Sequence, residues 1–374
     1  MHASAVPDRL HYMDHLRALA MLAGVFFHAA LAYSPLMQPI WPMADRDTSI
    51  AVDAMVWGLH LVRMPLFFLV AGFFAAWILA RRGGGALARQ RVRRILVPFL
   101  LAWPLVLWSL SASTGWAAAN VQHPSPLLQM IREWMSEPDR PRLPPGTAHL
   151  WFLYYLLVFA VLHWALRTLD LGQLGHRLLR RHPAWLLLGL PLLLLPALAS
   201  VSAPHPAPEG LVPQFWAIVY YGTFFALGAL VHAQPDWIER ARPLGRWLLP
   251  AIVLAYLLFL WRLAVDPPGA GQATAPWPTA ALEASLSVWL TVGCLLAGKR
   301  LLNRANPVMR YLAQSAYWTY LLHLPLLFAI QYLLMDLAWP WPLKFVVASA
   351  GTLAVCLLSY QLLVRHTPLH RFVG

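Results

Sequence analysis

Charge is scarce in this chain of 374 residues: Asp, Glu, Lys and Arg together make up 11% of it, and it has only two cysteines. A soluble protein of this length displays far more charge, so a water-facing globule is excluded. Cys294 and Cys356 both sit inside apolar runs. They offer neither a disulfide framework nor the paired spacing of a zinc site, and no metal is expected. A phosphate-binding glycine motif followed by Lys-Ser or Lys-Thr is missing as well, which argues against ATP hydrolysis. Acidic residues are outnumbered 15 to 28 by basic ones, and the formal charge is +13. Gathered in one patch, the arginines would suggest nucleic acid. They fall instead in alternate loops, as orientation signals do, and no nucleic-acid partner is expected.

What is present is apolar: 60% of the residues are hydrophobic, and there are 19 tryptophans. Uninterrupted runs long enough to cross a bilayer number ten: Leu16–Tyr33, Ala54–Ala80, Ile95–Leu110, Leu150–Leu166, Ala184–Ser200, Phe215–Val231, Trp247–Trp261, Ala281–Ala297, Leu312–Leu333 and Phe345–Val364. Arg81, Arg82, Arg89, Arg91, Arg93 and Arg94 follow the second run, and Arg177, Arg180 and Arg181 the fourth. Arg240, Arg242 and Arg246 follow the sixth, and Lys299, Arg300, Arg304 and Arg310 the eighth. The opposite loops hold chiefly Arg46, Arg132, Arg140 and Arg142. The expected fold is therefore an all-α, polytopic membrane bundle of ten helices with both termini cytoplasmic. Residues 1–374 read as one integral-membrane domain without a soluble catalytic domain. The outer loops collect proline, and their order is expected to come from stiffness rather than helix. The longest, Ser111 to His149, has the size of a lid or an acceptor platform.

Against this apolar background a few ionisable residues stand out. Arg17 and His28 are eleven residues apart, close to three helical turns, which places both on one face roughly 16 Å apart along the axis. Asp14, Met21 and Gly24 share that stripe. Ionisable groups inside a membrane helix are costly and usually face a cavity or partner. The plainer reading is a packed histidine and a snorkelling interfacial arginine. On the second run His60 and Arg63 share a face above Pro65, with Arg63 roughly 15 Å from the outer end. On the ninth run Tyr320 and His323 are three apart, with His323 near half height. His28, Arg63 and His323 thus come from separate helices to one level. His149 opens the fourth run at the outer interface among Trp151, Tyr154 and Tyr155, where an aromatic belt is equally natural. Glu283 enters the eighth run from outside and Arg262 ends the seventh on the same side, so an outer ion pair is expected, or a role in acceptor binding. The inner loop RRGGGALARQRVRRILVPF joins a flexible triglycine to an arginine cluster. Arginine forks match phosphate geometry, although positive-inside topology also produces such clusters.

Asp14 to His28 with its Arg-x10-His spacing, then HLVRMPLFFLVAGF, RVRRILVP, HLWFLYYLL and YWTYLLHLP occur in this order over nearly the whole chain. In that order they resemble membrane acyltransferase family 3, and within it the glucan-succinylating branch. Ala71 stands where the family commonly has serine. The resemblance implies a bacterial inner-membrane enzyme that moves a succinyl or acetyl group to a hydroxyl of an extracytoplasmic carbohydrate. The donor would be cytoplasmic acyl-coenzyme A, either succinyl-CoA or acetyl-CoA, with no permanently bound cofactor. His28, Asp14, Arg63 and His323 would then be catalytic, and Arg17, Arg89, Arg91, Arg93 and Arg94 would hold the phosphorylated donor. His60, His149, Tyr320 and Glu283 would meet the acceptor. Glycan-synthesis or export proteins are the implied protein partners. The competing reading is a transporter or flippase for a glycan or lipid-linked intermediate, a class that usually shows inverted repeats or broken helices not detectable here.

Overall fold

The computed structural model describes residues 10–139, 145–166, 177, 180, 182–266 and 273–373. Arg140, Arg142 and Arg181 lie outside the described residues. Among the described residues the structure is all-helical, with no strand. Seven helical stretches are long and apolar enough to cross a membrane by length and composition, and Ala148–Leu162 and Ala184–Ala199 are shorter apolar helices.

The first helix, α1 (His11–Ala30), is central: it packs against four later helices of the bundle. It ends in a tight turn where Ser34 caps the next turn, accepting the Met37 N–H at 3.3 Å and donating to the Asp53 carboxylate. Helix α2 (Ile50–Arg91) starts at the Ser49 cap and carries Pro65, which deletes one rung of the backbone ladder. The predicted flexible triglycine is not a loop. The helical run continues past it with a single break at Gly83, whose φ of 74° is open to glycine at little cost. A π turn (Val92–Leu96) leads into α3 (Val97–Asn120).

The predicted stiff outer loop from Ser111 to His149 is also corrected. Helix α3 persists to Asn120, and α4 (Pro126–Ser136) forms an amphipathic helix with Ser125 as its cap and Pro126 in its first turn. Proline starts this helix because its missing N–H would have had no partner there. Arg132 then ties α4 to the end of α3, donating to the carbonyls of Ala118 at 2.5 Å and Val121 at 2.6 Å.

The remaining helices are α5 (Trp151–Leu166), α6 (Ala184–Ala199), α7 (Phe215–Ala233), α8 (Asp236–Ala241), α9 (Gly245–Val265), α10 (Trp277–Leu301), α11 (Pro307–Leu334), α12 (Trp341–Ser359) and the short α13 (His370–Val373). Helices α2 and α7 share an extensive crossing with close backbone approach. A Cβ on Gly72 would stand 1.9 Å from the Phe225 carbonyl oxygen, and one on Gly228 1.9 Å from that of Leu69. Small residues at such a crossing let two backbones touch, which is how helices associate where no hydrophobic effect drives them together.

Candidate active site

Six of the predicted polar residues meet at one cavity of about 730 Å³. His28 reaches it from α1, His60 and Arg63 from α2, His149 from the turn before α5, and Tyr320 and His323 from α11. Met21 and Gly24, on the same stripe of α1 as His28, line it as well. Residues 36, 37, 39–41, 202–207 and 209, from two loops, complete the wall.

Local geometry fixes each ring. The His28 and His323 centroids are 5.4 Å apart, and His323 lies 5.2 Å from His149. Trp41 stacks over His28 at 6.0 Å. His323 Nδ1 faces the carbonyls of Tyr320 at 2.8 Å and Thr319 at 3.2 Å. Carbonyls only accept, so Nδ1 carries the proton and Nε2 of a neutral ring is left with its lone pair. His149 and Tyr320 lock each other: His149 Nε2 donates to the Tyr320 carbonyl at 3.1 Å, and the Tyr320 hydroxyl donates to the His149 carbonyl at 2.5 Å. The backbone behind His149 is held too. Ala148 adopts a left-handed φ of 46°, and Thr147 bonds the Glu209 carbonyl through its N–H at 2.7 Å and its hydroxyl at 2.9 Å. His149 is therefore a cavity residue rather than one member of an aromatic belt.

Arg63 is 9% exposed, and its guanidinium sits 4.1 Å over the Phe27 ring. It makes no ion pair among the described residues, and its Nε is buried without a hydrogen-bond partner. A buried cation held by a ring face is available to an anion arriving in the cavity. His28 Nδ1 is likewise buried without a partner.

The candidates expected on the cytoplasmic side sit elsewhere. Arg17 pairs with Asp14 at 3.3 Å and donates to the Ala313 carbonyl at 3.0 Å, and neither residue lines the cavity. Met21 does, so one helical turn, about 6 Å of rise, separates the cavity floor from Arg17. Arg89 and Arg93 are exposed, Arg91 and Arg94 are half-buried, and none of the four reaches the cavity. A second, shallower cavity of about 490 Å³ lies among Arg242, Pro243, Gly245, Arg246 and Arg300 and shares no residue with the first.

Glu283 departs most from expectation. It is fully buried and does not pair with Arg262, which bonds Asp266 at 2.8 Å instead. Glu283 Oε1 accepts the His205 backbone N–H at 2.9 Å and faces His205 Nδ1 at 2.7 Å. An acid on an apolar helix turns to the one segment that offers it donors. His205, Glu209 and Tyr221 line the cavity and were not found in the sequence. The signal for His205 was a lone histidine between Pro204 and Pro206, needing a partner as Glu283 did.

Such a cavity, with imidazoles beside a guanidinium that has no carboxylate partner among the described residues, suits proton removal from a hydroxyl and stabilisation of a developing oxyanion. The family profile of acyltransferase family 3, described as an acyltransferase domain, matches residues 10–361, and the chain belongs to that family. It is thus a membrane acyltransferase. Among curated proteins it is similar to glucans biosynthesis protein C of Escherichia coli strains K12 and SMS-3-5, each 23% identical over 98% of this chain and 94% of the relative. The protein of the same name from Escherichia coli O139:H28 is similar to the same degree, again 23% identical with 98% and 94% covered. No solved structure matches.

Proposed function

We propose that this protein is an O-acyltransferase of the bacterial inner membrane, moving a succinyl or acetyl group from cytoplasmic acyl-coenzyme A to a hydroxyl of an extracytoplasmic carbohydrate such as a periplasmic glucan. It does so as a single integral-membrane domain with ten crossings and both termini in the cytoplasm. The observation that carries this reading is the meeting of His28, Arg63 and His323, from three helices, at one cavity. The name of the curated relatives supports a glucan as acceptor.

In this scheme the donor's phosphates rest on Arg17, positioned by Asp14, and on Arg89, Arg91, Arg93 and Arg94. Its thin arm enters along α1 past Met21. The acceptor comes from the loop-walled end and is held by His60, His149 and Tyr320. His28 takes the hydroxyl proton as the alkoxide oxygen attacks the thioester carbonyl carbon. The tetrahedral oxyanion develops toward the Arg63 guanidinium, while His323, whose Nδ1 proton is held by carbonyls, offers Nε2 as an acceptor beside it. As the C–S bond breaks, the coenzyme A thiolate leaves and the His28 proton goes to its sulfur. When the acyl group is succinyl, Arg63 meets its free carboxylate. Mass spectrometry of glycan and lipid fractions from a deletion strain tests the reading: loss of a succinyl or acetyl ester supports it. Unchanged acylation with a misplaced glycan would favour transport instead.

A further inference from the structure

One cluster at the edge of the cavity shares only His60 with the proposed acceptor site. His60 on α2, His205 between α6 and α7, and Glu283 on α10 each present one ligand atom, and the three atoms lie within 4.8 Å of one another. The two rings are 4.3 Å apart and tilted by 40°.

Three details of this cluster belong to a ligand site rather than to packing. His60 Nε2 and Glu283 Oε2 are buried with no hydrogen-bond partner, a state that native interiors rarely leave unfilled. Both imidazoles are also tethered by other contacts. The His60 ring stacks on Phe27 with centroids 5.9 Å apart, and His205 Nε2 meets the Tyr221 hydroxyl at 3.1 Å. Metal-ligating histidines are oriented as His205 is, the far nitrogen bound and the near one aimed. Finally, His205 Nδ1 and Glu283 Oε1 are already 2.7 Å apart. Two donors on a tetrahedral zinc with bonds of about 2.0 to 2.1 Å stand about 3.3 Å apart, so a small opening admits the ion.

We infer that His60, His205 and Glu283 form a divalent metal site of the zinc class, using His60 Nε2, His205 Nδ1 and one Glu283 oxygen. Two nitrogens and one carboxylate are the donor set of open zinc sites, and the fourth position faces the cavity that His60 and His205 line. One carboxylate leaves the loaded site positive beside Arg63, so its fourth ligand is a water or an anionic group. Its donor set does not depend on the acyl-transfer reading, although His60 is shared with the proposed acceptor site, and spacing along the chain could not reveal it because its ligands come from three distant segments.

The full chain, purified in detergent on a tag without histidines and without chelator, is assayed for metal by mass spectrometry and titrated with cobalt(II) after chelator treatment. The expected result is near-stoichiometric zinc and visible cobalt bands, both lost in His60→Gln and Glu283→Gln that remain monodisperse and both kept in His149→Gln. A wild-type protein that carries no metal and gives no cobalt bands overturns the site. So does equal metal in wild type and Glu283→Gln. The wild-type arm of the cobalt titration needs no variant, so absent bands there overturn the site even if a variant fails to fold.

Discussion

Replacing Arg63 by glutamine separates two tasks that the proposed reaction assigns to one guanidinium. The side chain is 9% exposed and lies 4.1 Å over Phe27, with no carboxylate partner among the described residues. Its charge is therefore uncommitted until an anion enters the cavity. A hydrogen bond to a charged group contributes about 1.5 to 3 kcal/mol, which corresponds to roughly tenfold to 150-fold in rate. If Arg63 also holds the carboxylate of a succinyl group, Arg63→Gln lowers kcat/KM for succinyl-CoA by that further factor beyond the loss seen with acetyl-CoA. If it stabilises only the oxyanion, both donors lose about 10² to 10³. The lost cation–π contact costs the fold about 0.5 to 2 kcal/mol, so thermal unfolding of the variant must be recorded beside the rates. The assay is single-turnover transfer from each donor to purified glucan in proteoliposomes. Equal losses with both donors would refute the carboxylate assignment.

Four further outcomes are expected. His28→Ala lowers transfer by about 10² to 10⁴ while coenzyme A binding by calorimetry is unchanged; full activity in correctly inserted protein would remove the base assignment. Gly228→Ala destabilises the α2–α7 crossing by about 1 to 3 kcal/mol in detergent unfolding, because its Cβ would stand 1.9 Å from the Leu69 carbonyl; a neutral result would mean the helices can part freely. Lys344→Met strands Asp45, its buried partner at 2.6 Å, and costs about 3 to 5 kcal/mol, whereas Lys344→Met with Asp45→Leu recovers much of the loss. At Asp336 burial works to raise the carboxyl, but the Gln122 and His123 N–H groups and the His123 ring outweigh it and hold the carboxyl below its usual 3.8. A depressed carboxylate contributes stability that is present above its unfolded value and lost as pH falls through the folded one, so the turn at Gln122 and His123 should loosen below about 3.8. Hydrogen exchange of those amides should show Asp336→Asn loosened already at neutral pH; identical protection in the two proteins would count against it.

Helix counting made much of the site legible. A period of 3.6 residues and a fixed rise were enough to bring His28, Arg63 and His323 to one level, because each lies on an uninterrupted apolar helix whose ends the arginines and prolines mark. The same reasoning stopped at the loops. His205 and Glu209 sit in a proline-rich segment without periodicity, and the partner of His205 is 78 residues away. Glu283 was read by depth alone, which tells how far a residue lies from the surface but not toward which neighbour it turns. The helical content of 111–136 was missed because proline was taken only as a stiffener, although Ser125-Pro126 is also a helix start. Spacing could not show that Arg17 lies one turn short of the cavity, nor that Arg89, Arg91, Arg93 and Arg94 do not line it.

Trp41 lies flat against His28, and the segment carrying it is moored by Asp45 to Lys344. An imidazole able to deprotonate a sugar would as readily deprotonate water, and a thioester waiting beside it would then be spent by hydrolysis. The indole occupies one approach to that ring. In the proposed reaction its loop thus governs how acyl groups are divided between glycan and solvent, and with it the yield of the enzyme as distinct from its speed.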